Sequence, residues 1–167
     1  MQEVLRALNR LVADRIIAQY AIGGAIGASF YISAAQTEDV DAFVFLPHYS
    51  AGLVLLSPVY DALTAMGGIV DGEHVRFGNW PLQILTDANE LIAEAIRDAL
   101  STDYGGVPTR VFRPEYLCAV GLQVGRAKDL LRVKMFLEQN AVNRERLATL
   151  LDRYGMPIPA GMKDDPL

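Results

Sequence analysis

An apolar strand that opens with two acidic residues is the feature that most constrains the fold of this chain. Residues 39–46 read DVDAFVFL, and the β-branched and aromatic residues predict a strand covered on both faces. Alternate side chains of a strand share a face, so Asp39 and Asp41 point the same way while Val40 points opposite. Two adjacent carboxylates cost electrostatic free energy unless a cation lies between them, and divalent Mg²⁺ prefers oxygen ligands. The pattern therefore predicts a divalent-metal site where this strand begins.

Two glycines stand upstream of the acid pair. Gly23 and Gly24 precede the small-residue segment AIGASFYISA, which we predict to be a helix that packs closely on a sheet. Glycine permits close backbone approach, and the free N–H groups at a helix start favour a phosphate. Taken alone, Gly-Gly is usually a tight turn and Asp-x-Asp is usually a surface feature, so neither motif by itself identifies a functional site.

Periodicity predicts strands alternating with helices, followed by helices alone. The predicted strands are YAIG, VDAFVFL, the two strands of EHVRFGNWPLQILT, and TRVFR. The predicted helices are QEVLRALNRLVADRIIA, AIGASFYISA, SPVYDALTAMGG with Ser57 as its cap, ELIAEAIRDAL capped by Asp87 or Asn89, and a region from Pro114 to Tyr154 that breaks near Gly125 and Asn140. We expect an α/β or α+β fold with a small mixed sheet flanked by helices. Residues 1–113 would form the core and residues 114–167 a helical region packed on it, and the alternative is one single domain.

Length and composition exclude several protein classes. The chain has 167 residues, of which 51% are hydrophobic, and this is enough to bury a substantial core. Its apolar runs are far shorter than the roughly 18 residues of a membrane helix, and charges interrupt the first residues, so we expect a cytoplasmic protein with no membrane partner. Cys118 is the single cysteine and cannot form an internal disulfide.

The net charge of −5 conceals an asymmetry along the chain. Residues 110–153 hold nine Lys or Arg and five Asp or Glu, a net of +4, which leaves −9 for the remainder. The overall acidity disfavours a dedicated nucleic-acid binder. Solvated helix faces account for such an asymmetry. It is also what a phosphate ligand requires when metal ions hold it between an acidic site and a basic C-terminal third.

The order Gly-Gly turn, helix and Asp-x-Asp strand resembles the signature of the nucleotidyltransferase fold shared by DNA polymerase beta. The later segment PEYLCAVGLQVGRAKDLLRVKMFL is similar to bacterial nucleotidyltransferase-like proteins related to abortive-infection toxins, in which a helix ending in a basic turn precedes a Lys-Asp pair. The resemblance covers most of the chain. It implies a nucleotidyltransferase-type sheet and a role in a toxin–antitoxin or phage-defence system with a cognate partner protein.

The same resemblance implies roles for individual residues. It assigns nucleotide contacts to Gly23, Gly24, Arg126 and Lys128, and catalysis with Mg²⁺ or Mn²⁺ binding to Asp39 and Asp41. Asp129 would orient Lys128 or cap its helix.

One position departs from the family pattern. Active members of the fold generally carry a third carboxylate on a later strand, and the matching place in PLQIL is Gln83. A glutamine oxygen is neutral, so it accepts a hydrogen bond but cannot replace an anionic base. Glu73 or Asp87 would substitute only if the backbone brings one of them inward.

Two functions follow from these features. The first is an enzyme that moves a nucleoside monophosphate from a nucleoside triphosphate to a hydroxyl of RNA, protein or a small molecule, with Mg²⁺. The second, motivated by Gln83, is a catalytically degenerate relative that acts as a nucleotide-binding or protein-interaction module. The oligomeric state stays open, because the amphipathic helices at both ends would pair with a second copy or cover one sheet.

Other kinds of site match the sequence less well. The order G-G-x-x-G over residues 23–27 differs from the G-x-G-x-x-G of dinucleotide-binding folds. His48 and His74 have no Cys or His partner at zinc-ligand spacing, so we expect exposed loop or strand residues. Trp80, beside Pro81, is predicted to pack at a strand edge.

Overall fold

A computed structural model describes residues 1–33, 39–47 and 56–159, and in them the chain forms a seven-stranded sheet flanked by helices. The strands are β1 (Gln19–Ile22), β2 (Val40–Phe45), β3 (Ile69–Asp71), β4 (His74–Phe77), β5 (Trp80–Thr86), β6 (Leu100–Tyr104) and β7 (Val107–Val111). The helices of the described residues are α1 (Gln2–Ala13), α2 (Gly24–Ala28), α3 (Ser57–Ala65), α4 (Glu90–Arg97), α5 (Pro114–Val124), α6 (Ala127–Glu138) and α7 (Arg144–Arg153).

The sheet is mixed, with the order β3-β4-β5-β2-β1-β7-β6. β2 pairs antiparallel with β1 and parallel with β5, and β1 pairs parallel with β7. Antiparallel hairpins complete both edges, β3-β4-β5 on one side and β6-β7 on the other. The predicted fold class, a mixed sheet between helices, is confirmed, and the strand that carries the acid pair lies at its centre.

Alternation along β2 divides its side chains between two cores. Val40, Ala42 and Val44 are fully buried on one face, in a cluster with residues of α1 and α3. We call the opposite face, which carries Asp41 and Phe43, the Asp41 face. Each large apolar side chain buried in this way stabilises the fold by about 1.5–3 kcal/mol. The two cores hold β2 from both sides and so fix which side chains face the site.

On the Asp41 face, apolar packing runs from the sheet into the C-terminal helices. The Phe43 and Phe112 rings stack with centroids 4.8 Å apart, and α4 packs on β1 and β2 while α5 packs on α2 and α4. The same buried cluster continues to Phe136 of α6 and Leu147 of α7. An ion pair of 2.8 Å between Arg153 and Glu94 joins α7 to α4. The C-terminal helices therefore share a core with the sheet, and a domain boundary at residue 113 stays a prediction.

The element ends follow local chemistry in most places. The Asn89 side chain accepts a hydrogen bond from the Ile92 N–H at the start of α4, as predicted. The breaks at Gly125 and Asn140 both have positive φ, 70° and 51°. At α3 the prediction was wrong by one residue: Leu56, which has no capping side chain, precedes the helix, and Ser57 is already helical.

The structure differs from the predicted elements at the end of α1 and in two additional strands, β3 and β6. α1 was predicted to extend to residue 18. It ends at Ala13, because Arg15 adopts a left-handed φ of 59° that a helix cannot contain. β3 and β6 were not predicted as strands, because every residue of β3 and four of the five residues of β6 are exposed and give no apolar alternation. Within the residues that the structure describes, no helix has the length and apolarity needed to cross a bilayer.

Candidate active site

Asp41 lies directly against the glycine turn at the start of α2. The Gly23 N–H donates to the Asp41 carbonyl oxygen over 3.0 Å and so continues the β1–β2 pairing beyond Ile22. Gly24 has a φ of 55°, and a Cβ on this residue would overlap Asp41 Oδ2. The positive φ disfavours any residue with a Cβ at position 24, and such a residue would also have to displace the Asp41 side chain. The structure thus brings the predicted glycine turn and the predicted acidic strand into one site.

The helix after the turn is shorter than the sequence indicated. α2 spans only five residues, and the Gly23 carbonyl accepts the Gly27 N–H over 2.7 Å. A Cβ on Gly23 would overlap the Phe43 ring, so this glycine is required for packing as well. A single helical turn has a small dipole. Any phosphate contact here would therefore depend on the backbone N–H groups of the turn and on cations elsewhere.

The surroundings of the Asp41 carboxyl disfavour its charged form. Its side chain is half-buried, and that burial raises the pKa of the Asp41 carboxyl above its ordinary value, with the nearby charge of Asp39 raising it further. Three cations act on it in the opposite direction: Arg126, Arg132 and Lys128. These three cations therefore lie close enough to Asp41 to act on its carboxyl, as the charge asymmetry of the sequence suggested, and its raised pKa favours an additional cation there.

The cations come from the first turns of α6, which follows Gly125. Arg126 precedes the helix as its N-cap residue, Lys128 is exposed in the first turn, and Arg132 lies one turn further along. Hydrogen bonding to Asp129 raises the pKa of the Arg126 guanidinium, and the charge of Asp41 adds to that effect. One helix end thus presents a set of positive charges to the acidic strand.

Asp129 holds two of these cations in place. This carboxylate is only 3% exposed, and it accepts hydrogen bonds from Arg126 Nε over 2.6 Å and from an Arg132 terminal nitrogen over 3.1 Å. Asp129 is not the N-cap residue of α6, which is Arg126; it is an acid of the first turn, and its i,i+3 spacings place its two oxygens on the arginines. That it orients Lys128 stays a prediction. Charge-assisted pairs of this kind restrict the directions in which both guanidinium groups point.

Gln83 occupies the place that the resemblance assigned to a third carboxylate. β2 and β5 pair in parallel with Asp41 opposite Gln83, so the two side chains share the Asp41 face on adjacent strands. The alternative acids lie elsewhere: Glu73 is exposed in the turn before β4, and Asp87 is exposed after β5. Among residues 1–33, 39–47 and 56–159, no group of three or more His, Cys, Asp or Glu is arranged to hold a metal. The acid pair therefore stands with an amide beside it.

The sequence analysis did not assign two residues of this surface, Arg132 and His74, to the site. Arg132 was counted only as a basic residue, although its spacing from Asp129 places both on one helix face. His74 was predicted to be an exposed loop or strand residue; it does lie on a strand, β4, but it is half-buried there and directly opposite Gln83. Its alternation with Arg76 in EHVRF was the available signal. His48 lies outside the described residues, and Trp80 packs against the core formed with α1 and α3.

Comparison with known proteins supports the fold. No protein-family model matches the chain, and no curated protein does. The solution structure of the antibiotic-resistance factor ANT(2'')-Ia is 15% identical, with 92% of this chain and 91% of that chain covered and a TM-score of 0.54. A crystal structure of ANT(2'')-Ia in complex with adenylyl-2''-tobramycin gives 15% identity, 92% and 96% coverage and a TM-score of 0.59.

A fungal protein gives a similar result. The antigenic nucleotidyltransferase-like protein from Paracoccidioides brasiliensis is 16% identical, with coverage of 92% of this chain and 86% of that chain and a TM-score of 0.56. At such low identity the likeness concerns the fold alone. The chain has a nucleotidyltransferase-type fold over nearly all of its length.

Proposed function

We propose that this protein transfers a nucleoside monophosphate from a nucleoside triphosphate to a hydroxyl acceptor. The observation that carries the proposal is the contact of Asp41 with Gly24, opposite the cations that begin α6. Carboxylates for a metal, backbone N–H groups and cations for phosphate are the components that phosphoryl transfer requires, and the proximity of these groups supports the proposal. The nucleotidyltransferase-type fold of the chain supports the same conclusion.

The acid pair fits a hard divalent cation. Mg²⁺ is typically held by one or two carboxylates together with substrate phosphates and water, and Asp39 and Asp41 supply that donor set on one face of β2. Burial raises the pKa of the Asp41 carboxyl and the like charge of Asp39 raises it further, so a divalent cation bound between the two acids would relieve both effects. When bound, Mg²⁺ or Mn²⁺ would neutralise charge on the triphosphate oxygens.

The remaining residues would position the nucleotide. Arg126 and Lys128 would contact the β- and γ-phosphates, and Asp129 would keep Arg126 directed into the site. The turn at Gly23 and Gly24 would let a phosphate oxygen come close to the backbone and accept a hydrogen bond from its free N–H groups, which a side chain would prevent. These contacts hold the α-phosphorus in line between the attacking oxygen and the departing pyrophosphate.

Calorimetric titration tests the nucleotide site. Each of ATP, GTP, CTP and UTP is titrated with and without Mg²⁺ into the wild type and into an Asp39→Asn, Asp41→Asn double variant. We expect Mg²⁺-dependent binding of at least one nucleotide by the wild type and a loss of at least about 100-fold in the variant, because a carboxamide is a much weaker metal ligand than a carboxylate.

A matched control replaces two exposed acids far from the site. The Asp61→Asn, Asp152→Asn variant has the same change in net charge, on α3 and α7, and should bind like the wild type. A folded wild type that binds none of the four nucleotides, with or without Mg²⁺, would contradict the proposal.

The register of Gln83 beside Asp41 favours a second candidate function. Without a third carboxylate the protein would keep the nucleotide site as a binding or interaction module, including one within a toxin–antitoxin or phage-defence pair. Pyrophosphate release from a bound nucleotide separates the two candidates. Release by the wild type that is lost in Asp41→Asn supports the enzyme, whereas tight binding without release supports the module.

The acceptor and the cellular setting are further parts of the proposal. ANT(2'')-Ia was crystallised with adenylyl-2''-tobramycin, in which a nucleotide is joined to an aminoglycoside. This supports testing hydroxyl-bearing small molecules alongside RNA and protein, with transfer of label from α-³²P-labelled nucleotides as the readout. We place the protein in the bacterial cytoplasm, where nucleoside triphosphates are available, and fractionation of the native cells checks the location.

A further inference from the structure

A row of polar side chains crosses four adjacent strands of the sheet. In the strand register, Asp71 of β3 is opposite His74 of β4, His74 is opposite Gln83 of β5, and Gln83 is opposite Asp41 of β2. Residues that face each other in a ladder project from the same side of the sheet. The row therefore extends the Asp41 face from the acid pair to the sheet edge.

The opposite side of these strands is where the helix packs. α3 lies on β3 and β4, and its Val59 and Leu63 share a core with Val75 and Phe77. Because side chains alternate, His74 and Arg76 point away from that core. His74 and Gln83 are half-buried, so each side chain is partly shielded from solvent and partly exposed on this face.

The distance along the row from His74 to Asp41 leaves room for a reacting hydroxyl between them. Neighbouring strands lie about 4.8 Å apart, so the Cα atoms of His74 and Asp41 are separated by roughly 10 Å. An imidazole reaches several ångströms from its backbone, as does a metal-bound phosphate from Asp41. A hydroxyl acceptor and the α-phosphate that it attacks would lie within this separation, above Gln83.

The chemistry that this space lacks is a base. Gln83 cannot accept a proton from an attacking hydroxyl, and the acids Glu73 and Asp87 are outside the row. A neutral imidazole accepts protons near neutral pH, which is the property of a general base. On the side of Gln83 that faces away from the acid pair, the next residue of the row is His74, and its imidazole can accept a proton.

We propose that His74 is the general base for the acceptor hydroxyl, with the Gln83 amide orienting that hydroxyl. The inference rests on the nucleotidyl transfer proposed above. The acceptor O–H proton moves to a His74 ring nitrogen as the oxygen forms a bond to the α-phosphorus. The bond from that phosphorus to the bridging oxygen of the β-phosphate breaks, and pyrophosphate leaves with the electron pair. The imidazolium later returns its proton to water.

The charges around His74 support this assignment. Asp71 flanks it on β3, where its carboxylate would stabilise the imidazolium that forms. Arg76, two residues along β4 on the same face, donates to Asp71 over 2.8 Å and holds it in place. Asp41 is the next acid on the other side, two strands away. Along the row His74 thus has an acid on each side, and Arg76, its neighbour on the same face of β4, is paired with Asp71.

A kinetic experiment tests the role with water as the probe acceptor. Mg²⁺-dependent release of nucleoside monophosphate and pyrophosphate is measured for wild type, His74→Gln and His74→Ala. We expect kcat to fall by at least about 100-fold in both variants while calorimetric affinity for the nucleotide stays within threefold, and added imidazole should restore part of the His74→Ala activity. A merely structural histidine would not show that rescue.

A second variant, Gln83→Asp, supplies an alternative base that could replace His74. Gln83→Asp places a carboxylate beside Asp41, so in that background His74→Gln should cost less than about tenfold in kcat. Full activity of His74→Gln in the wild-type background would overturn the inference. So would an equal loss from His74→Gln in both backgrounds.

A spectroscopic readout applies even where water is too slow an acceptor. The chain has two histidines, so the His74→Gln variant assigns the imidazole resonances. Binding of Mg²⁺ with the α,β-methylene analogues of ATP, GTP, CTP and UTP should shift the His74 ring signals, and the Asp39→Asn, Asp41→Asn variant should abolish the shift. Unchanged His74 signals with a calorimetrically bound analogue overturn this inference alone. Failure of every nucleotide to bind the wild type instead overturns the proposed function.

Discussion

The two halves of the Asp41 face are built from the same sheet and differ in what covers them. Over β1 and the second half of β2, α4 and α5 bury the aromatic pair Phe43 and Phe112. Toward β3, the face carries Asp41, Gln83 and His74, and α3 packs on the other side. The change occurs within two residues of one strand. Among the described residues, the proposed site therefore lies where helical cover of this face stops, and the covered half holds the open half in register.

The largest contrast between the halves should be in stability. Phe112 is fully buried, so Phe112→Ala should lower the free energy of unfolding by about 3–5 kcal/mol, because it leaves a cavity in the covered half. Gln83→Ala, in the open half, should change it by less than about 1 kcal/mol. Urea unfolding measures both. Comparable losses from the two variants would show that the open half is core rather than site.

The next effect concerns nucleotide affinity and tests the cations opposite the open half. Asp129→Asn removes the charge that directs Arg126 and Arg132, so triphosphate affinity should fall by about 10- to 100-fold, the range for charge-assisted hydrogen bonds. The control is Lys134→Gln, a charge change on the same helix whose side chain pairs with Glu138. Calorimetry with nucleoside tri-, di- and monophosphates measures the loss, which should shrink with each phosphate removed. An equal loss for all three would assign Asp129 a purely structural role.

A smaller effect tests whether the ionised carboxyl of Asp41, in the open half, lowers the free energy of unfolding. Because burial and Asp39 raise the pKa of Asp41 in the folded state, its ionised form lowers the free energy of unfolding above that raised pKa. This loss disappears as the pH falls below the ordinary value for Asp. Asp41→Asn should therefore raise the free energy of unfolding at pH 7, without metal, by about 0.5–2 kcal/mol and flatten its pH dependence. Thermal melts across pH measure this, and a destabilised Asp41→Asn contradicts it.

The smallest expected effect lies at the outer edge of the open half. Ile69 of β3 is 69% exposed, so Ile69→Thr should change the free energy of unfolding by no more than about 0.5 kcal/mol. Urea unfolding at two protein concentrations measures the change and detects association through this edge. A loss above 1 kcal/mol would show that this apolar side chain is covered in solution.

The sequence predicted the elements that obey a simple period and missed those that do not. Alternation and flanking Pro or Gly identified β2, β4, β5 and β7, while β3 and β6 have exposed side chains on a sheet edge and carry no such signal. The C-terminal helices were found with their breaks, because Gly125 and Asn140 are residues that tolerate a positive φ.

At the site, local motifs were predictable and cross-strand neighbours were not. Asp39 and Asp41 share a face by the period of a strand, and that follows from three consecutive letters. The pairing of Gln83 with His74 depends on a hairpin register, and the pairing of Asp129 with Arg132 depends on side-chain direction on a helix. Both are properties of packing, which one sequence does not specify.

The overlap that any side chain at position 24 would make with Asp41 sets a rule for variation. A library randomised at both positions and selected for folding should show covariation: the residues with a Cβ that tolerate a φ of 55°, Asn and Asp above all, would enter position 24 mainly with a smaller residue at position 41. Selection for nucleotide binding would remove those pairs and leave Gly24 with Asp41. The two positions would then change together or not at all, although 16 residues separate them in the chain.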